Sequence, residues 1–161
     1  YRDNRLNPIH EGTHGIQALD LLGRKVSMAQ GRALTLLGNE MAATVTRARA
    51  TQDALLVAQA GALESKIQRV VSVTGRLLSA DDPERTLANA AVYLEAFGHL
   101  VVAWLWLEQA CVAHGRDADF YRGKLQAAQY FFRWELPRLG PWLELLESLD
   151  DTTLCMRDDW F

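Results

Sequence analysis

From Gly31 onward, apolar residues recur at steps of three and four, the spacing of one face of an α-helix. Leu34, Leu37, Met41, Val45 and Ala48 form the first such stripe. Leu56, Ala60, Leu63, Ile67, Val70, Thr74 and Leu77 form a second, alternating steps of four and three throughout, which suits a seam between antiparallel neighbours. Asp82-Pro83-Glu84 then marks a helix start: an aspartate cap, proline at the first helical position and an acid in the first turn. The helix it opens is expected to run to about His114, where Gly115 closes it. Tyr121, Leu125, Ala128 and Phe132 give a fourth stripe beginning near Asp117 or Asp119, which Pro137 should break or kink. Gly140-Pro141 restarts the chain into a short final helix around Trp142–Leu149. No window alternates with the two-residue period of a half-buried strand. The predicted fold is all-α: an antiparallel four-helix bundle over residues 31–149, preceded by a loop and short helix in residues 1–30 and followed by an irregular tail, 150–161.

Composition narrows the function classes. The 161 residues include 17 Lys and Arg against 20 Asp and Glu, a net charge of −3. No basic surplus exists to neutralise a phosphate backbone, so nucleic acid is not an expected partner. Cys111 and Cys155 are far apart and lie in no metal-ligand pattern, which disfavours a disulfide framework and a structural zinc site and fits a reducing cytoplasm. The most apolar run, Phe97–Leu107, is shorter than the ~20 residues a transmembrane helix needs and contains His99. It is expected in the middle of a buried helix, with His99 hydrogen-bonded in the core and no membrane span. The chain opens at Tyr1-Arg2-Asp3 without an initiator methionine or a signal-peptide pattern, as expected of a piece of a longer protein. Trp104, Trp106, Trp134 and Trp142 are expected in core or inter-domain packing, Cys111 as a small buried hydrophobe, and Arg47, Arg49, Lys66 and Arg69 on solvated helix faces.

The first thirty residues differ. Ile16, Leu19 and Gly23 begin a weaker helical stripe, and polar side chains crowd around it: His10, Glu11, Thr13, His14, Gln17 and Asp20. His10-Glu11-Gly12-Thr13-His14 matches the H-E-x-x-H pattern of zinc peptidases, in which two histidines share one face of a rigid helix. Pro8 and Gly12 are poor company for such a helix, and His99 and His114 are too distant in sequence to mark a third ligand. Glu40 could in principle supply a carboxylate ligand, and nothing marks it out.

A second pattern uses more of the chain. Tyr1-Arg2-Asp3, Arg5-Leu6, Ile9, Glu11-Gly12-Thr13, Gly15-Ile16-Gln17, Asp20-Leu21 and Arg24-Lys25 together resemble the C-terminal signature of the acyl-CoA dehydrogenase family. Tyr130-Phe131-Phe132, Glu135-Leu136-Pro137 and Asp158-Asp159-Trp160-Phe161 resemble the extra helical domain of its larger bacterial members, the 3-methylmercaptopropionyl-CoA dehydrogenase type. The resemblance implies that Glu11 is the catalytic base, that Gly12 lies beside the bound thioester, and that Thr13 and Gly15 contact FAD. It implies an acyl-CoA substrate, electron-transfer flavoprotein as redox partner, a homo-oligomer, and a piece inactive by itself. His10 departs from the family's usual tyrosine before the base. The bland alternative is a helical packing or dimerisation module with no catalytic residue. Residues 31–149 are expected to fold as a compact bundle, with Tyr1–Gly15 extended, mobile or held by a neighbouring chain.

Overall fold

A computed structural model describes residues 13–160. They are helical, with no strand among the described residues: α1 (His14–Asp20), α2 (Met28–Ala50), α3 (Ala54–Leu78), α4 (Pro83–Ala88), α5 (Ala90–Ala113), α6 (Asp119–Tyr130) and α7 (Leu139–Glu147). Cross-contacts fix their directions. Thr44 meets Trp104, Arg49 meets Glu64, Thr74 meets Tyr93, and Lys124 meets Gln109. So α2 and α5 run one way, and α3 and the rod made by α6 and α7 run the other. This is the expected up-down-up-down bundle, with α5 touching α1, α2, α3, α6 and α7.

Two sequence-predicted boundaries hold in chemical detail. Asp82 accepts from the N–H groups of Glu84 and Arg85, and Gly115 takes the left-handed φ of +73° just beyond α5. Asp53 caps α3 in the same way, accepting from Leu55 and Leu56. Two others need correction. The helix expected from Pro83 to His114 is two helices: Asn89 (φ −112°, ψ 29°) separates α4 from α5, and its side-chain amide donates to the Asp150 carbonyl at 2.7 Å. The fourth helix bends through a π turn, Phe131–Glu135, and a 3-10 turn, Leu136–Arg138, which places Pro137 where its missing N–H costs little.

The core runs along one face of α3 (Leu56, Leu63, Val73, Leu77) and α5 (Tyr93, Leu100, Leu107), closed by Leu136, Leu139 and Leu143. By length and composition, α5 is apolar enough to cross a membrane, and it sits in the middle of the bundle. Tyr93 is buried with its hydroxyl 2.7 Å from that of Thr74, and burial pushes its phenol up. Between α2 and α5, buried Thr44 donates to Glu108 and accepts from the indole N–H of Trp104 at 2.7 Å, while Arg47 pairs with the same Glu108. Arg49 bonds Glu64 at 2.6 Å and Arg69 bonds Glu147 at 3.0 Å. These three arginines join helices; they are not simply solvated. Of the two settings expected for Trp134, core or inter-domain packing, the core is ruled out, since it stands 68% exposed.

Candidate functional site

The segment that carries the candidate chemistry is held by a narrow base. Ala18, Leu22 and Val26 are buried, spaced by four residues across α1 and a π turn, Leu21–Lys25. Gly23 in that turn lies against Leu87 of α4; a Cβ there would come within 3.4 Å of the leucine side chain. The predicted stripe of Ile16 and Leu19 therefore faces the wrong way: Ile16 is 70% exposed and Leu19 about half. A wide turn advances the chain by about 4.4 residues per turn, so a run at four-residue steps stays on one side. After Val26 the chain passes through three consecutive left-handed residues, Ala29, Gln30 and Gly31, before α2 straightens.

Two of the four sequence-predicted site residues fall among the described ones. Thr13 stands exposed before α1. Its carbonyl accepts the Gln17 N–H at 2.8 Å, and its hydroxyl accepts from the Gln17 side-chain amide at 2.9 Å. Gly15 is exposed in the first turn of α1, and a Cβ placed on it would meet nothing within 4 Å. His14 and Gly15 are thus helical; of the three states expected for Tyr1–Gly15 (extended, mobile or held by a neighbouring chain), the extended one does not hold for these two. Glu11 and Gly12, with His10, lie outside the described residues, as does the expectation for residues 1–12. Asp20, one helical face away, bonds Arg24 at 2.5 Å and Lys25 at 3.2 Å. The Arg24 hydrogen bond, reinforced by Lys25, holds its carboxyl below the usual range. Thr13 and Gly15 are exposed, and no described side chain comes within 4 Å of a Cβ placed on Gly15. That is compatible with the FAD contact the resemblance implies, whose remaining walls these residues do not supply.

No group of three metal-ligating side chains occurs among the described residues. Of the zinc pentapeptide, Thr13 and His14 are described; both are exposed, as is Glu40 on α2. A cavity of about 620 Å³ lies elsewhere, between the start of α2, the end of α3 and α5. Leu34, Met41, Ile67, Val70 and Phe97 line it, and no titratable side chain does, so it offers no acid or base. His99 is half-buried, not fully in the core. Its Nε2 is 3.6 Å from Glu135, and its ring stands edge-on to Trp142 at 4.8 Å. Arg138, then His99, keep the Glu135 carboxyl below its ordinary value. Cys111 is half-buried, and burial raises its thiol; Cys155 is exposed. Sequence reasoning missed the Thr44–Glu108–Arg47–Trp104 cluster, because its members lie about sixty residues apart and share no local pattern.

Comparison with known proteins places these features. The family model described as acetyl-CoA dehydrogenase C-terminal like matches residues 37–157. The chain is 30% identical over 167 residues to the broad-specificity linear acyl-CoA dehydrogenase FadE5 of Mycobacterium tuberculosis, covering 93% of this chain and 27% of that protein. It is 35% identical over 142 residues to 3-methylmercaptopropionyl-CoA dehydrogenase of Ruegeria pomeroyi, covering 81% and 23%. A butyryl-CoA dehydrogenase of Syntrophomonas wolfei is 23% identical over 166 residues, covering 95% and 26%. The chain spans about a quarter of the length of each of these relatives. With three quarters of its residues inside the family model and its helical bundle in the matched region, this chain belongs to the acyl-CoA dehydrogenase family and carries that family's C-terminal-like domain.

Proposed function

We propose that this chain is the C-terminal part of an FAD-dependent acyl-CoA dehydrogenase, in which Glu11 removes the α-proton of an acyl-CoA thioester. The observation that carries this is the Glu11-Gly12-Thr13 motif with Gly15-Ile16-Gln17, placed just before a domain that matches the family's C-terminal model. The Glu11 carboxylate takes the proton as the Cα–H bond breaks, and the electrons left behind form the new C=C bond. The β-hydrogen departs with its electron pair, giving the 2,3-enoyl-CoA. FAD, when bound, supplies the acceptor for that hydride. A free carboxylate is too weak a base for this proton, and a dry site raises its basicity. Gly12 allows close approach of the thioester, and Thr13 and Gly15 hold the flavin side of the site. Residues 1–30 end the catalytic helical region, 31–149 form an appended bundle, and 150–161 a tail. Since the other walls of the site belong to residues outside this chain, the chain alone is inactive. Electron-transfer flavoprotein is the proposed oxidant of the reduced enzyme.

The test is Glu11→Gln in the full-length enzyme, mixed anaerobically with acyl-CoA. Flavin should remain bound at wild-type stoichiometry while its bleaching slows by at least about a hundredfold, the usual scale for loss of a positioned base. Bleaching near the wild-type rate would remove Glu11 from this role.

A further inference from the structure

We propose that the cavity between the start of α2, the end of α3 and α5 is a binding site for an uncharged single-chain lipid, of the class of a fatty alcohol. Its volume of about 620 Å³ falls within the ~300–1,000 Å³ of small-molecule pockets. Met41, Val70 and Leu100 are buried in its floor, with Ile67 and Phe97 half-buried beside them. Thr74, also buried there, commits its hydroxyl to the Val70 carbonyl and the Tyr93 hydroxyl, both at 2.7 Å. That hydroxyl is satisfied within the bundle, so the floor receives a ligand as an apolar surface.

The space is elongated and is kept open against local preference. Its lining runs from Ile67 to Leu78 along α3, which at 1.5 Å per residue is about 16 Å. An extended chain advances roughly 1.2 Å per bond, so a ten-carbon alcohol of about 12 Å lies within that length. Gly38 of α2 and Gly75 of α3 both line the space, and a Cβ on either would meet nothing within 4 Å. Glycine is a poor helix former, so neither helix gains from it. At the rim, Gln30 and Gly31 carry left-handed φ values of 58° and 75°, in a run of three that begins at Ala29. Backbone strain of this kind gathers at ligand sites, and here Gln30, with Ser27, puts an uncharged amide and a hydroxyl at the edge of the cavity.

Charge and size together select the occupant. No charged side chain among the described residues lines the cavity, so a carboxylate or an ammonium would lose its hydration there without gaining a partner. A helix with its side chains is about 10–12 Å across and rises 5.4 Å per turn, so one turn fills on the order of 400–600 Å³. The cavity thus takes about one turn, too few for the i, i+3, i+4 and i+7 anchors by which a helix grips a groove. No strand edge occurs among the described residues for an extended peptide to pair with. A thin apolar chain ending in one hydroxyl meets every condition.

Methyl NMR of the 161-residue chain labelled at its methionines, titrated with 1-decanol, tests this, with thermal melting alongside. The Met41 signal should shift saturably while that of Met156, in the tail, stays in place, and the melting temperature should rise with decanol concentration. Gly38→Leu and Gly75→Leu improve helix propensity and fill the space. Each should melt at or above the wild-type temperature and bind decanol about tenfold more weakly or worse. Gly98→Leu, equally open but outside the cavity, should bind as the wild type does. Decanoate and decyltrimethylammonium at neutral pH should bind about tenfold more weakly or worse than decanol. A Met41 signal indifferent to decanol overturns the proposal. So does binding that survives both cavity substitutions, loss of binding in Gly98→Leu, or equal binding of the ionic chains. The full-length enzyme should show the same Met41 shift; its absence there would mean that other residues fill the cavity, and the proposal would fall. None of these outcomes depends on Glu11.

Discussion

Gln59 sits 4% exposed on the core side of α3, and no donor among the described residues reaches its amide oxygen. An unsatisfied buried acceptor costs about 1–3 kcal/mol, whereas an apolar side chain of similar volume in the same place costs nothing for desolvation. Gln59→Met should therefore raise the unfolding free energy by about 1 kcal/mol, measured by urea titration. Single residues were the least legible level of the sequence. Arg47, Arg49 and Arg69 carry no local mark that distinguishes a bridging arginine from a solvated one, since their carboxylates lie 15 to 78 residues away. Of the candidate site, Thr13 and Gly15 were legible only as members of a motif, because their surroundings are open surface.

Helices with an even 3.6-residue period were read well, and wide turns were not. The seam from Leu56 to Leu77 is buried as its spacing implies, apart from half-buried Ile67. Ala18, Leu22 and Val26, like Ala128, Phe132 and Leu136, run at steps of four through π turns. A 3.6-residue template drifts off such a run, so it chose Ile16 and Leu19 instead. The left-handed stretch in the first turn of α2 gave no signal beyond Gly31, because Ala29 (φ 50°) and Gln30 (φ 58°) are not residues that favour that region. Each costs about 1–2 kcal/mol there, and glycine escapes most of it. Gln30→Gly should stabilise the chain by roughly 0.5–1 kcal/mol in a thermal melt, the reverse of glycine's effect inside a right-handed helix.

Across the whole molecule, the order of rods follows from short connections between apolar stripes. What holds the rods in register is electrostatic as well as apolar: Arg47–Glu108 joins α2 to α5, Arg49–Glu64 joins α2 to α3, and Arg69–Glu147 joins α3 to α7. The Arg69 hydrogen bond holds the Glu147 carboxyl below its ordinary value. A carboxyl lowered on folding adds stability that is complete above its unfolded value and is lost as pH falls through the folded one. The wild type should thus melt higher than Glu147→Gln near neutrality, with the gap closing as pH falls below the ordinary glutamate range. A gap that stays constant into acid would show that the charge of Glu147 is not what matters.

The π turn between α1 and the bundle has a consequence of aim. A π turn is an α-helix that has taken in one residue more than its length requires. One residue is worth about 100° of rotation about the helix axis. The single extra residue within Leu21–Lys25 therefore acts as a vernier, setting the compass direction in which Thr13 and Gly15 look relative to everything downstream. Losing it would turn α1 by more than a quarter of a circle, taking Ala18 off α5 and the motif round with it.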